Sequence, residues 1–205
     1  MIIAVDGPTA SGKGTIAKAL AAHFGLPHLD TGLLYRAVGR QCALNHGNAD
    51  DPGDALAACD FRDSLLADPV LRSEAAGGLA SRVSVHPAVR RALYDRQRAF
   101  ATQPGGAVLD GRDIGTVIAP EAEVKLFVVA SVPARAERRF REMQATGRAV
   151  TLAEIAADLE ARDARDRGRT DAPLVAAADA VLLDTSDLGP AAAIAEAIRI
   201  AELCV

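Results

Sequence analysis

GPTASGKGT, residues Gly7 to Thr15, follows directly on the apolar run Ile2–Val5 and leads into a helical pattern on its far side. Strand, glycine-rich turn and helix in that order make a cradle for a polyphosphate. Glycine lets backbone N–H groups turn inward, and the helix N-terminus adds partial positive charge. Lys13 stands where an ammonium reaches the outer phosphates. The strict pattern has Ser or Thr straight after that lysine; here Gly14 takes the place and Thr15 follows. Either Thr15 or Ser11 is placed to offer a hydroxyl to a phosphate or its metal. The cradle of Gly7, Pro8, Thr9, Ala10, Ser11, Gly12, Lys13, Gly14 and Thr15 implies a nucleoside triphosphate.

The rest of the chain suits a compact enzyme. With 205 residues, half of them apolar, it can bury the core of one α/β domain. No run approaches the roughly 20 apolar residues that span a bilayer. The N-terminus enters a strand at once, which leaves no room for a signal peptide. Cys42, Cys59 and Cys204 are widely spaced without a metal-ligand pattern, so reduced thiols and a cytoplasmic location are expected. A net charge of −4 argues against a general nucleic-acid binder. Of the basic residues 20 are Arg and only Lys13, Lys18 and Lys125 are lysine. Codon bias in an alanine-rich chain accounts for that total, so the positions of the arginines carry the information.

Four apolar runs, Ile2–Val5, Ala107–Leu109, Val124–Ala130 and Ala180–Leu183, read as parallel strands buried on both faces, with a short fifth strand at Pro27–Leu29. Helical patterns fill the intervals at Lys13–Phe24, Leu33–Asn45, Pro87–Thr102, Pro133–Thr146, Leu152–Arg165 and Pro190–Leu203. Thr151 with Glu154 resembles a capping box for the fifth of these. The alternation predicts an α/β fold, a doubly wound five-stranded parallel sheet flanked by helices, with ligands beyond the carboxyl ends of the strands. His46–Gly78 reads as a small insertion. Met143–Arg169 reads as two helices broken at Gly147 and lined with arginine, a mobile flap.

Three further stretches point to a second anionic substrate. DTGLLYR, Asp30 to Arg36, sets a carboxylate and a hydroxyl at a strand end with an arginine one turn into the next helix. LDGRDIG, Leu109 to Gly115, closes a strand with Asp110, where P-loop enzymes often hold the magnesium shell, and then projects Arg112 and Asp113. RDARDRGR, Arg162 to Arg169, spaces arginines and aspartates on adjoining helix faces. Taken alone, such an Arg/Asp helix is most often a solvated face of weak ion pairs.

GPTASGKGT, DTGLLYR, VRRALYDRQRAF, LDGRDIGTV and RDARDRGRTDAPL, in this order and spacing, resemble bacterial cytidylate kinases over nearly the whole chain. That resemblance implies the nucleoside monophosphate kinase fold as one domain over residues 1–205. Its monophosphate-binding part would run from about 31 to 105 and its lid from about 141 to 169. It implies transfer of the γ-phosphoryl group of ATP to CMP or dCMP with Mg2+, by a cytoplasmic monomer. Ser81, Arg90 and Asp113 match the positions that read cytosine. Arg36, Arg112 and Arg169 match those that hold the acceptor phosphate. Arg162 and Asp166 match those near the ribose, and Thr31 stands where the family often has Ser. Lys13, Arg112 and Arg169 would act in catalysis, with Thr15 and Asp110 near the metal. One departure stands out: family members commonly carry a longer β-rich insertion, whereas 50–78 here is short and helical in pattern.

The roles make chemical sense. Cytosine offers an amine donor beside two acceptors, which a carboxylate and an arginine complement, and uracil reverses that edge. The acceptor is already a phosphate, so no general base is needed, and His23, His28, His46 and His86 read as structural. A kinase of AMP, UMP or shikimate is the nearest rival, and Arg90 with Asp113 favours cytidylate over it. A GTPase switch fails because neither Asn45 nor Asn48 is followed by lysine, and a motor or transporter ATPase lacks length for partner-facing domains. Nine arginines between Arg135 and Arg169 are expected to repel one another without ligand and keep the flap open.

Overall fold

The computed structural model describes residues 1–145 and 150–205. It divides into two compact units, one of Met1–Leu29 with Ala101–Val205 and one of Asp30–Phe100. The first is built on a five-stranded sheet in the order β2-β3-β1-β4-β5. The strands are β1 (Ile2–Asp6), β2 (His28–Asp30), β3 (Ala107–Gly111), β4 (Val124–Val129) and β5 (Val181–Asp184). β1 lies at the centre, parallel to β3 with Asp6 opposite Gly111, and parallel to β4 with Asp6 opposite Phe127. This central place explains the apolarity of β1: Ile3 and Val5 are fully buried.

Helices α1 (Lys13–Phe24) and α8 (Pro190–Leu203) pack together and share a core with the sheet. Ile16 and Leu20 of α1, Val124, Leu126 and Val128 of β4, and Ala197 and Ile200 of α8 all belong to it. Gly25, at φ 66, ends α1 by donating its N–H to Ala21 O. The expected burial of the last strand on both faces does not hold. In β5 only Leu183 is buried, while Leu182 is 62% exposed. β5 is an edge strand pairing with β4 alone, and an apolar run does not by itself tell the edge of a sheet from its interior.

The second unit contains α2 (Thr31–Leu44), α3 (Pro52–Ala57), α4 (Glu74–Val83) and nearly all of α5 (Pro87–Ala101). Two 3-10 turns, Asp63–Ala67 and Pro69–Arg72, join α3 to α4. Every regular element between Thr31 and Ala101 is helical, as the composition of 50–78 predicts. Each start carries its own chemistry. Asp30, Asp51 and Ser73 cap α2, α3 and α4 with side-chain oxygens. α2 and α4 approach closely: a Cβ on Gly39 would sit 2.7 Å from Leu79 Cβ.

Two long helices complete the first unit, α6 (Val132–Ala145) and α7 (Leu152–Arg167). Thr151 caps α7 while Glu154 returns the bond to the Thr151 N–H, so the expected capping box is present in both directions. The expected break at Gly147 lies outside the described residues. No helix among the described residues is long and apolar enough to cross a membrane.

Candidate active site

β1 delivers the chain to the phosphate loop under tight constraint. Gly7 has φ 152, and a Cβ there would lie 2.0 Å from Val128 O, so no larger residue fits. Ala10 takes φ 62, an unusual conformation for a residue with a side chain. Lys13, the first residue of α1, is buried and donates from Nζ to Pro8 O at 3.1 Å, curling over the loop. Ser11 Oγ is buried and has no hydrogen-bond partner among the described residues. A buried hydroxyl of this kind matches a phosphate oxygen or a metal-bound water. Thr15, the other candidate, is exposed one turn along. Thr185 Oγ1, just past β5, lies 2.9 Å from Ser11 O and 3.1 Å from Val129 O and ties the loop to the sheet.

The end of β3 brings the second group of candidates beside this loop. Asp110 is buried, and its Oδ1 lies 2.7 Å from His28 Nε2. A Cβ built on Gly14 would meet its Oδ2 at 3.7 Å, which places the carboxylate under the first turn of α1. A buried carboxylate is a hard oxygen ligand of the kind magnesium takes, so Asp110 fits that ion. Arg112 donates from Nη2 to Thr9 Oγ1 at 2.6 Å and from Nε to Asp166 Oδ2 at 2.8 Å. It thereby links phosphate loop, β3 and α7. Asp166 would be pushed up by its burial, but Arg112, then Arg169 and Lys13, outweigh that and hold it below the usual carboxylate range. Arg169 is buried and donates from Nε to Asp166 O.

α7 corrects the expectation of mutual repulsion among the flap arginines. Arg135 on α6 makes a bidentate pair with Asp163, at 3.1 and 2.6 Å, and both are buried. The same guanidinium donates to Ala130 O and Thr9 O. Arg162 lies 3.1 Å from Asp158. The helix brings its own anions, so Arg135, Arg112 and Arg162 are neutralised without ligand. The solvated-face reading fails too, since Arg162, Asp163 and Asp166 are all buried. A small apolar cluster of Ala136, Ile155 and Leu159, with Ala10 of the phosphate loop packed against it, sits beside these pairs.

In the second unit Thr31 is buried as the first residue of α2. Asp30 acts there as the helix cap, its Oδ1 accepting the Leu33 N–H at 3.2 Å. Arg36 donates from Nη1 to Leu71 O at 2.8 Å and to Ser73 O at 3.3 Å, so the short insertion orients it. Arg90 is buried with its guanidinium 5.6 Å from the centre of the Tyr35 ring. Ser81 Oγ is buried without a hydrogen-bond partner among the described residues.

Five contributors escape a reading of the sequence: Asp6, His28, Arg135, Asp163 and Thr185. Asp6 has a visible signal, a carboxylate ending an apolar strand directly before Gly7. Asp163 lies inside a motif whose arginines dominate the pattern. The other three carry no local sign, because Asp110, Thr9 and Ser11, which they contact, lie 82 to 174 residues away from them.

The chain has clear relatives. The family described as cytidylate kinase matches residues 3–203. A cytidylate kinase of Azorhizobium caulinodans is 55% identical over 203 residues, covering 98% of this chain and 98% of that protein. One from Caulobacter sp. (strain K31) is 54% identical over 202 residues, covering 98% of this chain and 94% of its own. One from Cereibacter sphaeroides is 56% identical over 201 residues, with 98% and 95% covered.

Proposed function

The chain belongs to the cytidylate kinase family, and we propose that it transfers the γ-phosphoryl group of ATP to CMP or dCMP, giving ADP and CDP or dCDP. The observation that carries this reading is the convergence of Lys13, Arg112, Asp166 and Arg169 around the Gly7–Thr15 loop.

Phosphoryl transfer asks a protein for alignment, charge stabilisation and exclusion of water. Backbone N–H groups of the loop, with Lys13, hold the donor's outer phosphates, and Ser11 Oγ accompanies them. Arg112 and Arg169 hold the acceptor phosphate and stabilise the negative charge spreading over the migrating group. Asp166 keeps both guanidiniums oriented and cedes part of their hydrogen bonding to the incoming phosphate. Arg36 takes part in holding the acceptor phosphate, Arg162 and Asp166 face the sugar, and Thr31 belongs to the same acceptor site. Asp113 accepts from the cytosine amine, while Ser81 and Arg90 donate to the ring acceptors. Asp110 and Thr15 would hold the water shell of Mg2+ carried by ATP, which would supply charge neutralisation. A dianionic acceptor needs no general base.

The α7 aspartates that pair with Arg112 and Arg135 support a lid over about 141–169, with these guanidiniums passing from aspartate to phosphate on closure. Free thiols at Cys42, Cys59 and Cys204 suit a reducing cytoplasm, where we take the protein to act as a monomer.

A coupled assay with ATP against CMP, dCMP, UMP and AMP tests the proposal. Higher kcat/KM for CMP and dCMP than for UMP is expected. Equal use of UMP, or preference for AMP, would remove the cytosine assignment.

A further inference from the structure

Asp6 is a buried carboxylate that the transfer chemistry leaves unused. It ends β1 immediately before Gly7, and only 5% of it is exposed. Its Oδ1 accepts the Ile114 N–H at 2.9 Å and its Oδ2 accepts the Gly115 N–H at 2.8 Å. These two residues open a single π-helical turn, Ile114–Ile118, that begins right after Asp113.

A helical turn leaves its first N–H groups without internal partners, and an Asp at the capping position ordinarily satisfies them with its own side chain. Asp113 occupies that position, yet its side chain does not cap the turn. Asp6 does so instead, from 108 residues away in sequence. The Asp113 backbone carbonyl accepts the Val117 and Ile118 N–H groups, so the turn fixes the Asp113 main chain from both ends. Lys125 packs against the same peptide: a Cβ on Gly115 would lie 3.3 Å from Lys125 Cδ and 3.5 Å from Asp6 Oδ2. Lys125 is itself anchored, with Nζ 2.6 Å from Asp179 Oδ2.

We propose that Asp6 is a positioning residue for base selection, fixing through the Ile114 and Gly115 peptides the angle at which Asp113 presents its carboxylate. The proposal rests on the assignment of Asp113 to cytosine. It also makes the end of β1 serve two tasks at once, the start of the phosphate loop through Gly7 and the seat of the Arg112–Asp113 pair through Asp6. Electrostatics agrees with this closeness. Burial pushes Asp6 up to about 7, the two backbone N–H groups pull it down, Asp113 raises it and Lys13 lowers it.

The test is a double-mutant cycle read as the ratio of kcat/KM for CMP to that for UMP. Asp6→Asn keeps the shape but turns one acceptor oxygen into an amide NH2, a donor facing a donor N–H. In a folded Asp6→Asn protein the ratio should fall about tenfold through misplacement of Asp113, with the KM for ATP held within about twofold. On an Asp113→Asn background the same change should move the ratio less than about twofold, since two residues acting as one unit do not add. If Asp6→Asn destroys the fold, Asp6→Glu keeps both acceptor oxygens but advances them by one methylene against the Ile114 and Gly115 peptides, and the ratio should fall likewise. An unchanged ratio in the folded variant, or an equal loss on both backgrounds, overturns the proposal. If Asp113→Asn alone leaves the ratio unchanged, the base-reading assignment itself is wrong and the positioning role goes with it.

Discussion

Arginine–carboxylate pairs at the root of α7 and those on the rims of α6 and α8 look alike in sequence and do different work. Arg141 with Glu137, and Arg199 with Glu196, are pairs three or four residues apart on exposed helix faces. Each holds its geometry against side-chain entropy and salt, and contributes little. Arg135 with Asp163 has a similar bond length, 2.6 Å, but both side chains are buried and they join two helices. Arg135 also reaches Thr9 O of the phosphate loop. Charges out of water depend on their partners, so loss of one strands the other. Depth and connectivity, rather than the number of ion pairs, separate support of the site from decoration of the surface.

The sharpest way to break this comparison is Asp163→Ala, which leaves the buried Arg135 guanidinium without its carboxylate. A loss of about 3–5 kcal/mol is expected in denaturant unfolding. A double replacement of Arg135 and Asp163 by Met and Leu should recover much of it. Lys13→Ala comes next. It removes a buried cation that donates to a loop carbonyl, so the fold should survive while turnover drops by about a hundredfold or more. Near-normal turnover would detach Lys13 from the chemistry.

A smaller effect is expected from pH, and it separates two buried carboxylates. Asp6 is raised to about 7 by burial. Its native form therefore keeps a proton that the unfolded chain has lost between roughly pH 4 and 7. Its contribution to stability is full below the unfolded value and is lost as pH rises through about 7. Asp166, held low by Arg112 and Arg169 against its burial, contributes throughout that window and loses its share only under stronger acid. Melting curves should show Asp6→Asn gaining on the unmodified protein from pH 4 to 7, while the deficit of Asp166→Asn stays constant. A flat difference for Asp6→Asn would contradict its shift. The smallest effect belongs to Glu196→Ala, which should leave the melting temperature unchanged within error at any salt concentration.

The glycine-rich loop, the capping box at Thr151 and Glu154, the alternation of strands with helices, and the helical character of 50–78 were all legible in the sequence. Each rests on interactions within a few residues, where spacing alone fixes which groups can meet. Lys13, Arg112, Asp166 and Arg169 stand in compact motifs, and that is what let the sequence single them out as candidates. The exposure of β5 was not, because apolar runs at the edge and at the centre of a sheet are written in the same residues. Nor was the pairing of Arg135 with Asp163, or the capping of the Ile114 turn by Asp6. A carboxylate's partner across 28 or 108 residues is chosen by the route of the chain, and burial then sets the strength of that choice. By itself the sequence determined the local elements and the chemical inventory of the site. The tertiary structure decided which charges leave water and which partners they find there, because both follow from the route of the chain through space.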